Sequence, residues 1–297
     1  MSHVSVLLHE SIDGLDIEAG DTIIDATLGA GGHSRAIAQR FKNITIVGFD
    51  LDADALKLAQ QNIEEIGGKL IPIQANFRSM DIACEQKGIS EVGGVLFDFG
   101  ISSMELGESG RGFSFKYDEP LLMTLQNPIT EDTLTAREVV NGTREKELAD
   151  IIFTYGEESF SRQIANAIVT ARKRKKIETT FELAEIIKSA VPNFYKNGRI
   201  NPATKTFQAL RIYVNDELGA IKEGLEKAWK LLVSDGRIVT ITFHSLEDRI
   251  VKNFFKDKAK QDERAQIITK KPIVPSIEEI IINPRSRSAK LRILKKI

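Results

Sequence analysis

Cysteine is almost missing from this chain: Cys84 is the single one in 297 residues. One thiol excludes an internal disulfide and a cysteine-ligated zinc site and suits a reducing compartment, so a cytoplasmic protein is expected. No apolar run approaches the ~20 residues a membrane helix needs. The opening MSHVSVLLHES has no basic segment before its short apolar run, so no secretory leader and no membrane partner are expected. Histidine is scarce as well; the four, His3, His9, His33 and His244, have spacings that match no common ligand pattern, and no metal site is expected. Charge of one sign is also lacking, with 41 Lys and Arg against 42 Asp and Glu, so bulk charge announces no nucleic-acid partner. What is present is a hydrophobic content of 42% and a charged content of 28%, the balance of a folded globular protein. The length suits about two domains.

The chain is organised around residues 22–34, TIIDATLGAGGHS. Ile23 and Ile24 lead into Asp25; a small-residue turn follows at Gly29, Gly31 and Gly32; His33 and Ser34 open a helix. Strand, glycine turn and helix start form the first unit of a nucleotide-type α/β site. Glycines there allow close approach of backbone to ligand, although a purely structural turn would read the same way. A dinucleotide fingerprint would read GxGxxG directly after the strand. Here an acid precedes GxGG by four residues, an order suited to S-adenosylmethionine, whose sulfonium and amino acid tail gain from a carboxylate.

The β-α pattern continues. Residues 44–50 form an apolar run ending in Asp50, about 20 residues past the turn, where a ribose-binding carboxylate belongs. The alternative is a surface acid opening the next helix, a task open to Asp52 and Asp54. Residues 70–73 predict a third strand with Phe77 just beyond it, either stacking on adenine or plugging the core. Residues 92–97 predict a fourth, delivering Asp98, Ser102 and Ser103 to the same edge. Residues 3–10 read as a short strand or turn. From about Leu106 strand-like alternation stops and helical periodicity takes over at 133–140, 145–155, 159–174 and 181–191. Five consecutive cations, 172–176, are either a solvated helix end or a phosphate-binding patch. A long amphipathic helix, or two in series, spans 206–232, and 237–243 is a strand. Ser245 and Asp248 are spaced as a capping box, and His244 could touch substrate or fill its loop. The last fifteen residues carry six cations and no acid, yet Leu291, Ile293 and Leu294 should dock on something.

Assembled, these segments resemble the RsmH/MraW family of S-adenosylmethionine-dependent methyltransferases. The resemblance is carried by HVSVLLHE at the start, DATLGAGGHS, DFGISS, RGFSF, YGEE, NPATKTFQALRIYVN, TFHSLEDRIVK and NPRSRSAKLR, nearly end to end. It implies a doubly wound, Rossmann-like class I methyltransferase sheet from residues 1–105 and 203–297, with an inserted all-helical substrate domain at 106–202 that recognises RNA. It implies transfer of a methyl group to the exocyclic N4 amine of one cytidine in the decoding region of 16S ribosomal RNA, within the assembled small subunit. Oligomeric state, monomer or homodimer, is not implied. By the same resemblance Gly31, Gly32, His33, Asp50, Phe77 and Asp98 fall at cofactor contacts. Asp25 and Gly29 join them from the motif reading. Glu105 falls at a further cofactor contact, where the family usually has Gln or His. After RGFSF the family pattern D-x-P-L-D-M-R is replaced by Asp118-Glu119-Pro120-Leu121-Leu122-Met123-Thr124, losing an acid and an arginine. That departure keeps open a catalytically impaired assembly or RNA-binding factor on the same fold. A nicotinamide-dependent dehydrogenase is disfavoured by the missing GxGxxG.

Methylating an amine whose lone pair is delocalised into a ring requires a group to accept its N–H. Asp98 is expected to bind the cofactor or to be that acceptor, and Ser102 and Ser103 are further candidates.

Overall fold

The computed structural model describes residues 5–101, 107 and 109–297, in two compact units. The first comprises Met1–Gly100 and Leu218–Ile297, the second Ile101–Glu217. The expected insertion boundary at 202 therefore differs from the observed one: helix α10 (Ala203–Asn215) packs Phe207 and Leu210 into the core of the second unit.

In the first unit, strands β1 (Thr22–Asp25), β2 (Thr45–Asp50), β3 (Leu70–Gln74), β4 (Val92–Asp98), β5 (Leu232–Thr242), β6 (Ala265–Ile267) and β7 (Lys290–Lys296) form one sheet in the order β3-β2-β1-β4-β5-β7-β6. Neighbours from β3 through β5 are parallel, and β7 runs antiparallel between β5 and β6. Order reverses between β1 and β4, which places the switch point where the strand ends carry Asp25 and Asp98.

The central strands read as unbroken apolar runs because both faces are covered by helices. Successive side chains alternate: Ile23, Ile46, Leu96, Val239 and Ile293 face Ile12 of α1 (Leu8–Leu15), Ile37 of α2 (Gly32–Arg40) and Ile63 of α3 (Ala53–Glu64). Ile24, Val47, Val95, Ile238 and Leu294 face Met80 and Cys84 of α4 (Met80–Gln86), Leu225 and Trp229 of α11 (Glu217–Leu231) and Phe255 of α12 (Ser245–Gln261).

Two N-terminal and C-terminal expectations change. The segment read as a short strand or turn enters helix α1 at Leu8. The basic tail is an interior strand, with Leu291, Ile293 and Leu294 buried. Its Arg292 is buried too, and forms a two-point ion pair with Asp248 (2.7 and 3.3 Å), joined by Lys290 (3.1 Å). Asp248 is thus not a capping residue. The box at the start of α12 lies one residue earlier, where His244 Nδ1 accepts the Glu247 N–H and Glu247 Oε2 accepts the His244 N–H. His244 therefore fills its loop as an N-cap.

The second unit is helical: α5 (Ala136–Gly142), α6 (Glu145–Gly156), α7 (Ser161–Arg172), α8 (Thr180–Ala190), the short α9 (Asn193–Lys196) and α10. Thr135 with Glu138 and Thr179 with Glu182 are capping boxes that start α5 and α8. Apolar residues of α5 to α8 and α10, among them Val140, Leu148, Ile152, Ile164, Ile168, Leu183 and Leu210, enclose its own core.

Of the five-cation run, Arg172 is not available to a phosphate. Its guanidinium donates to the carbonyls of Val140 (2.6 Å) and Thr143 (2.7 Å), at the carboxyl end of α5. Lys175 pairs with Glu182. Lys173, Arg174 and Lys176 are exposed.

Candidate active site

Three adjacent strands end in an acid on the same edge of the sheet: β1 in Asp25, β2 in Asp50 and β4 in Asp98. Between β1 and α2 the chain turns through Gly29 (φ 50°) and Gly31 (φ 78°), a backbone region that L side chains rarely adopt. A Cβ on Gly31 would also stand 3.0 Å from that of Ala59. Gly31 therefore lets the turn lie flat on α3.

The aspartates shape this turn. Asp50 Oδ2 accepts the Gly29 N–H (2.8 Å), and its Oδ1 accepts the Asp52 N–H (2.8 Å). Asp52 itself caps α3 by accepting from Asp54 N–H (2.9 Å), so the capping role considered for Asp50 is filled by its neighbour. Asp25 is 2% exposed; its Oδ2 accepts from Ser34 Oγ (2.6 Å) and its Oδ1 from Thr27 N–H (3.3 Å). It braces β1 against the first turn of α2. Thr27, which sequence reasoning passed over, accepts the Asp98 N–H at its Oγ1 (2.7 Å) and so ties β4 to the same loop. Its position between the acid and the glycines of DATLG was the available signal.

His33 is buried in the first turn of α2, where Nε2 lies 3.2 Å from the Val6 carbonyl. Donation there leaves Nδ1 facing Asp98 Oδ2 at 3.7 Å, too far for a closed hydrogen bond. Asp98 Oδ1 is buried, and nothing among the described residues donates to it. Phe77 is half-buried, edge-on to Phe97 (5.5 Å between centroids) and tilted against Phe99 (6.0 Å). It packs in an aromatic cluster beside the strand ends, so the core half of its expected role is met. Ser102, Ser103 and Glu105 lie outside the described residues.

Electrostatics set this edge apart. Burial pushes the Asp25 carboxyl up to about 6, against the bond from Ser34, and the Asp50 charge adds to the rise. Asp50 is raised by burial, opposed by the N–H groups of Asp52 and Gly29. Asp98 is raised well above its ordinary range: burial first, then repulsion from Asp25 and from Glu247, a buried acid at the start of α12 that sequence reasoning treated only as a helix residue. Like charges gathered in a dry place each resist ionisation. A bound cation would relieve them together, and the positive-φ turn offers open backbone beside them.

In the second unit, the loop that departs from the family pattern is held through its backbone. Arg111, 9% exposed, donates to the carbonyls of Thr124 (3.3 Å) and Leu125 (3.2 Å). Asn215 donates to the Met123 carbonyl and accepts the Leu125 N–H, both at 2.8 Å. Thr124 is buried.

Residues 1–297 match the family model described as the MraW methylase family. The protein named Ribosomal RNA small subunit methyltransferase H of Sulfurihydrogenibium sp. (strain YO3AOP1) is 48% identical over 297 residues, covering 100% of both chains. Its namesake from Persephonella marina is 46% identical over 297 residues, again covering 100% of both. That of Carboxydothermus hydrogenoformans is 46% identical over 312 residues, covering 100% of this chain and 98% of the relative. With carboxylates from neighbouring strand ends set around a glycine turn, and with likeness running the full length, the chain belongs to the MraW methylase family.

Proposed function

We propose that this chain transfers a methyl group from S-adenosylmethionine to the exocyclic N4 amine of a cytidine in the decoding region of 16S ribosomal RNA. The observation that carries the reading is the set of three strand-end aspartates, all held above their ordinary range, around the turn of Gly29 and Gly31. That donor set fits a cationic nucleoside. The relatives' names supply the ribosomal substrate.

When bound, the sulfonium supplies an electrophilic methyl and a neutral thioether leaving group. The chain's residues do the remaining work. Gly29, Gly31 and Gly32 present backbone to the donor, and Asp50 faces its ribose while keeping the turn in shape. Asp25 positions that turn from below rather than touching the ligand, because both its oxygens are bonded and it is shielded. Phe77 borders the adenine side. Asp98 accepts an N–H, and its raised affinity for a proton makes the ionised form the stronger acceptor. His33 Nδ1 faces the other Asp98 oxygen at 3.7 Å, the side from which an unprotonated ring nitrogen would relieve Asp98 of the proton it accepts. Ser102, Ser103 and Glu105 complete the candidates.

Incubation of the protein with small ribosomal subunits and radiolabelled donor, followed by mapping of the labelled nucleotide, tests this. Label at N4 of one decoding-region cytidine is the expected result. Subunit binding with no incorporation would instead favour the impaired assembly factor suggested by Leu122 and Thr124. For Asp98→Asn, transfer lost with donor affinity kept assigns Asp98 to the target amine; lost donor affinity assigns it to the cofactor.

A further inference from the structure

Residues 193–200 of the second unit, NFYKNGRI, put an aromatic ring where burial would be expected. Phe194 is 74% exposed and the neighbouring Ile200 60%. The ring is not on a loose tether. It meets Phe160 at 6.2 Å in a T-shaped contact, and Phe160 meets Tyr195 at 4.9 Å. Beneath them lies Glu158, 0% exposed, whose Oε2 accepts the Tyr195 hydroxyl (2.6 Å) and whose Oε1 accepts the Phe160 N–H (2.9 Å). Burial, and then the bond to Glu158, push the Tyr195 phenol upward, so it stays a neutral donor.

Along the chain on either side of this ring, the charge has one sign. Residues 186–215 hold five cations and no acid. Three are engaged: Lys188 with Glu185 (3.6 Å), Arg211 with Glu217 (2.8 Å) and Lys205 with the Glu157 carbonyl (3.0 Å). Lys196 and Arg199, which flank Phe194 in sequence, have no carboxylate partner among the described residues. A braced, exposed π-face with unpaired cations within a few residues along the chain is a combination suited to unpaired nucleotides, base on ring and phosphate on cation. An apolar protein partner would gain nothing from the cations.

We propose that Phe194, seated on Phe160 and flanked by Lys196 and Arg199, is a stacking platform for an unpaired base of single-stranded RNA. This rests on the RNA substrate proposed above and adds a contact outside the methyl-transfer centre.

The test uses the full chain, a short labelled single-stranded oligoribonucleotide and the same strand annealed to its complement, with binding read by fluorescence anisotropy. Phe194→Ala should weaken single-strand binding about tenfold, the scale of one lost base stack, and leave duplex binding unmoved. Phe194→Tyr should bind as the parent does. Phe194→Leu, which keeps an apolar surface without a π-face, should lose as much as Phe194→Ala. Lys196→Ala and Arg199→Ala should each shallow the salt dependence by about 0.7 in log–log slope. Melting temperature and donor binding should stay unchanged in all of them. Single-strand affinity unchanged in Phe194→Ala, kept in Phe194→Leu, lost equally for duplex, or absent from the parent chain overturns the inference; affinity kept in Phe194→Leu would show apolar contact in place of base stacking. Methyl transfer to small subunits is read separately, so its failure falls on the proposed reaction and not on the platform.

Discussion

Asp25 carries a cost that the fold accepts for the sake of the turn. Its carboxyl is raised to about 6 in the folded chain from an ordinary value near 3.8, with burial the leading cause. The folded state therefore binds the proton more tightly than the unfolded one. Stability from this group is fully present below about pH 4 and is lost as pH rises through about 6. The difference amounts to about 3 kcal/mol, an upper figure for a fully shielded acid. Asp25→Asn keeps an acceptor for Thr27 and a partner for Ser34, so it should raise the melting temperature at pH 7. The gain should shrink toward pH 4. Calorimetry at the two pH values checks it; a loss at pH 7 that vanishes toward pH 4 would show instead that the ionised form braces the turn.

Asp98 shows the same direction with a catalytic consequence. If its ionised form accepts the amine proton, transfer rises with pH through a midpoint above the ordinary carboxylate range. Affinity for S-adenosylmethionine should fall as pH drops from 7 to 5, as the aspartates protonate and the attraction for the sulfonium fades. S-adenosylhomocysteine, lacking that charge, should lose less. Titration calorimetry of both ligands across the range decides this, and parallel curves would sink the electrostatic account.

At the scale of elements, two charged segments that look alike in sequence do different things. Arg172 closes the carboxyl end of α5, where last-turn carbonyls otherwise lack donors. Arg172→Ala should therefore cost about 2 kcal/mol in denaturant unfolding, the scale of lost charge-assisted bonds to partly buried carbonyls. Neutralising Lys173, Arg174 and Lys176 together should leave stability within about 0.5 kcal/mol. A phosphate role for those three would appear as a shallower salt dependence of RNA binding. In the other segment, Arg292 and Lys290 hold Asp248 below its ordinary range, against the opposing effect of its burial. That stability is present above the unfolded pKa and is lost as pH falls. Arg292→Met should strand a shielded carboxylate and destabilise by about 3 kcal/mol or more, with part recovered in the Asp248→Leu, Arg292→Met double variant. No recovery would mean that the pair contributes through packing alone.

For the whole molecule, chain order and space disagree in a consequential way. The last strand in sequence, β7, lies between β5 and β6, so the sheet cannot be completed until residue 296 is placed. Deleting residues 290–297 removes Leu291, Ile293 and Leu294 from two faces of the core and leaves β5 with an open edge. Loss of cooperative unfolding by circular dichroism is expected for that truncation. A native-like melt would show that the strand is dispensable. No helix among the described residues is long and apolar enough to cross a membrane.

What the sequence determined by itself is what local rules govern. Apolar runs ending in Asp25, Asp50 and Asp98 are strands buried on both faces, whose ends must emerge together. Glycine at positive φ marks the turn between the first strand and its helix, and periodicity locates the helices α5 and α8, whose starts the structure sets at the caps Thr135 and Thr179. What only the tertiary structure decided depends on which distant groups share a dry space. Repulsion among Asp25, Asp98 and Glu247, the tie from Thr27 to β4, the diversion of Arg172 to two carbonyls and the insertion of a basic tail as an interior strand all join residues far apart in the chain. Burial and pairing alter the energy of a charge by more than its identity does, and neither can be read from the residue that bears it.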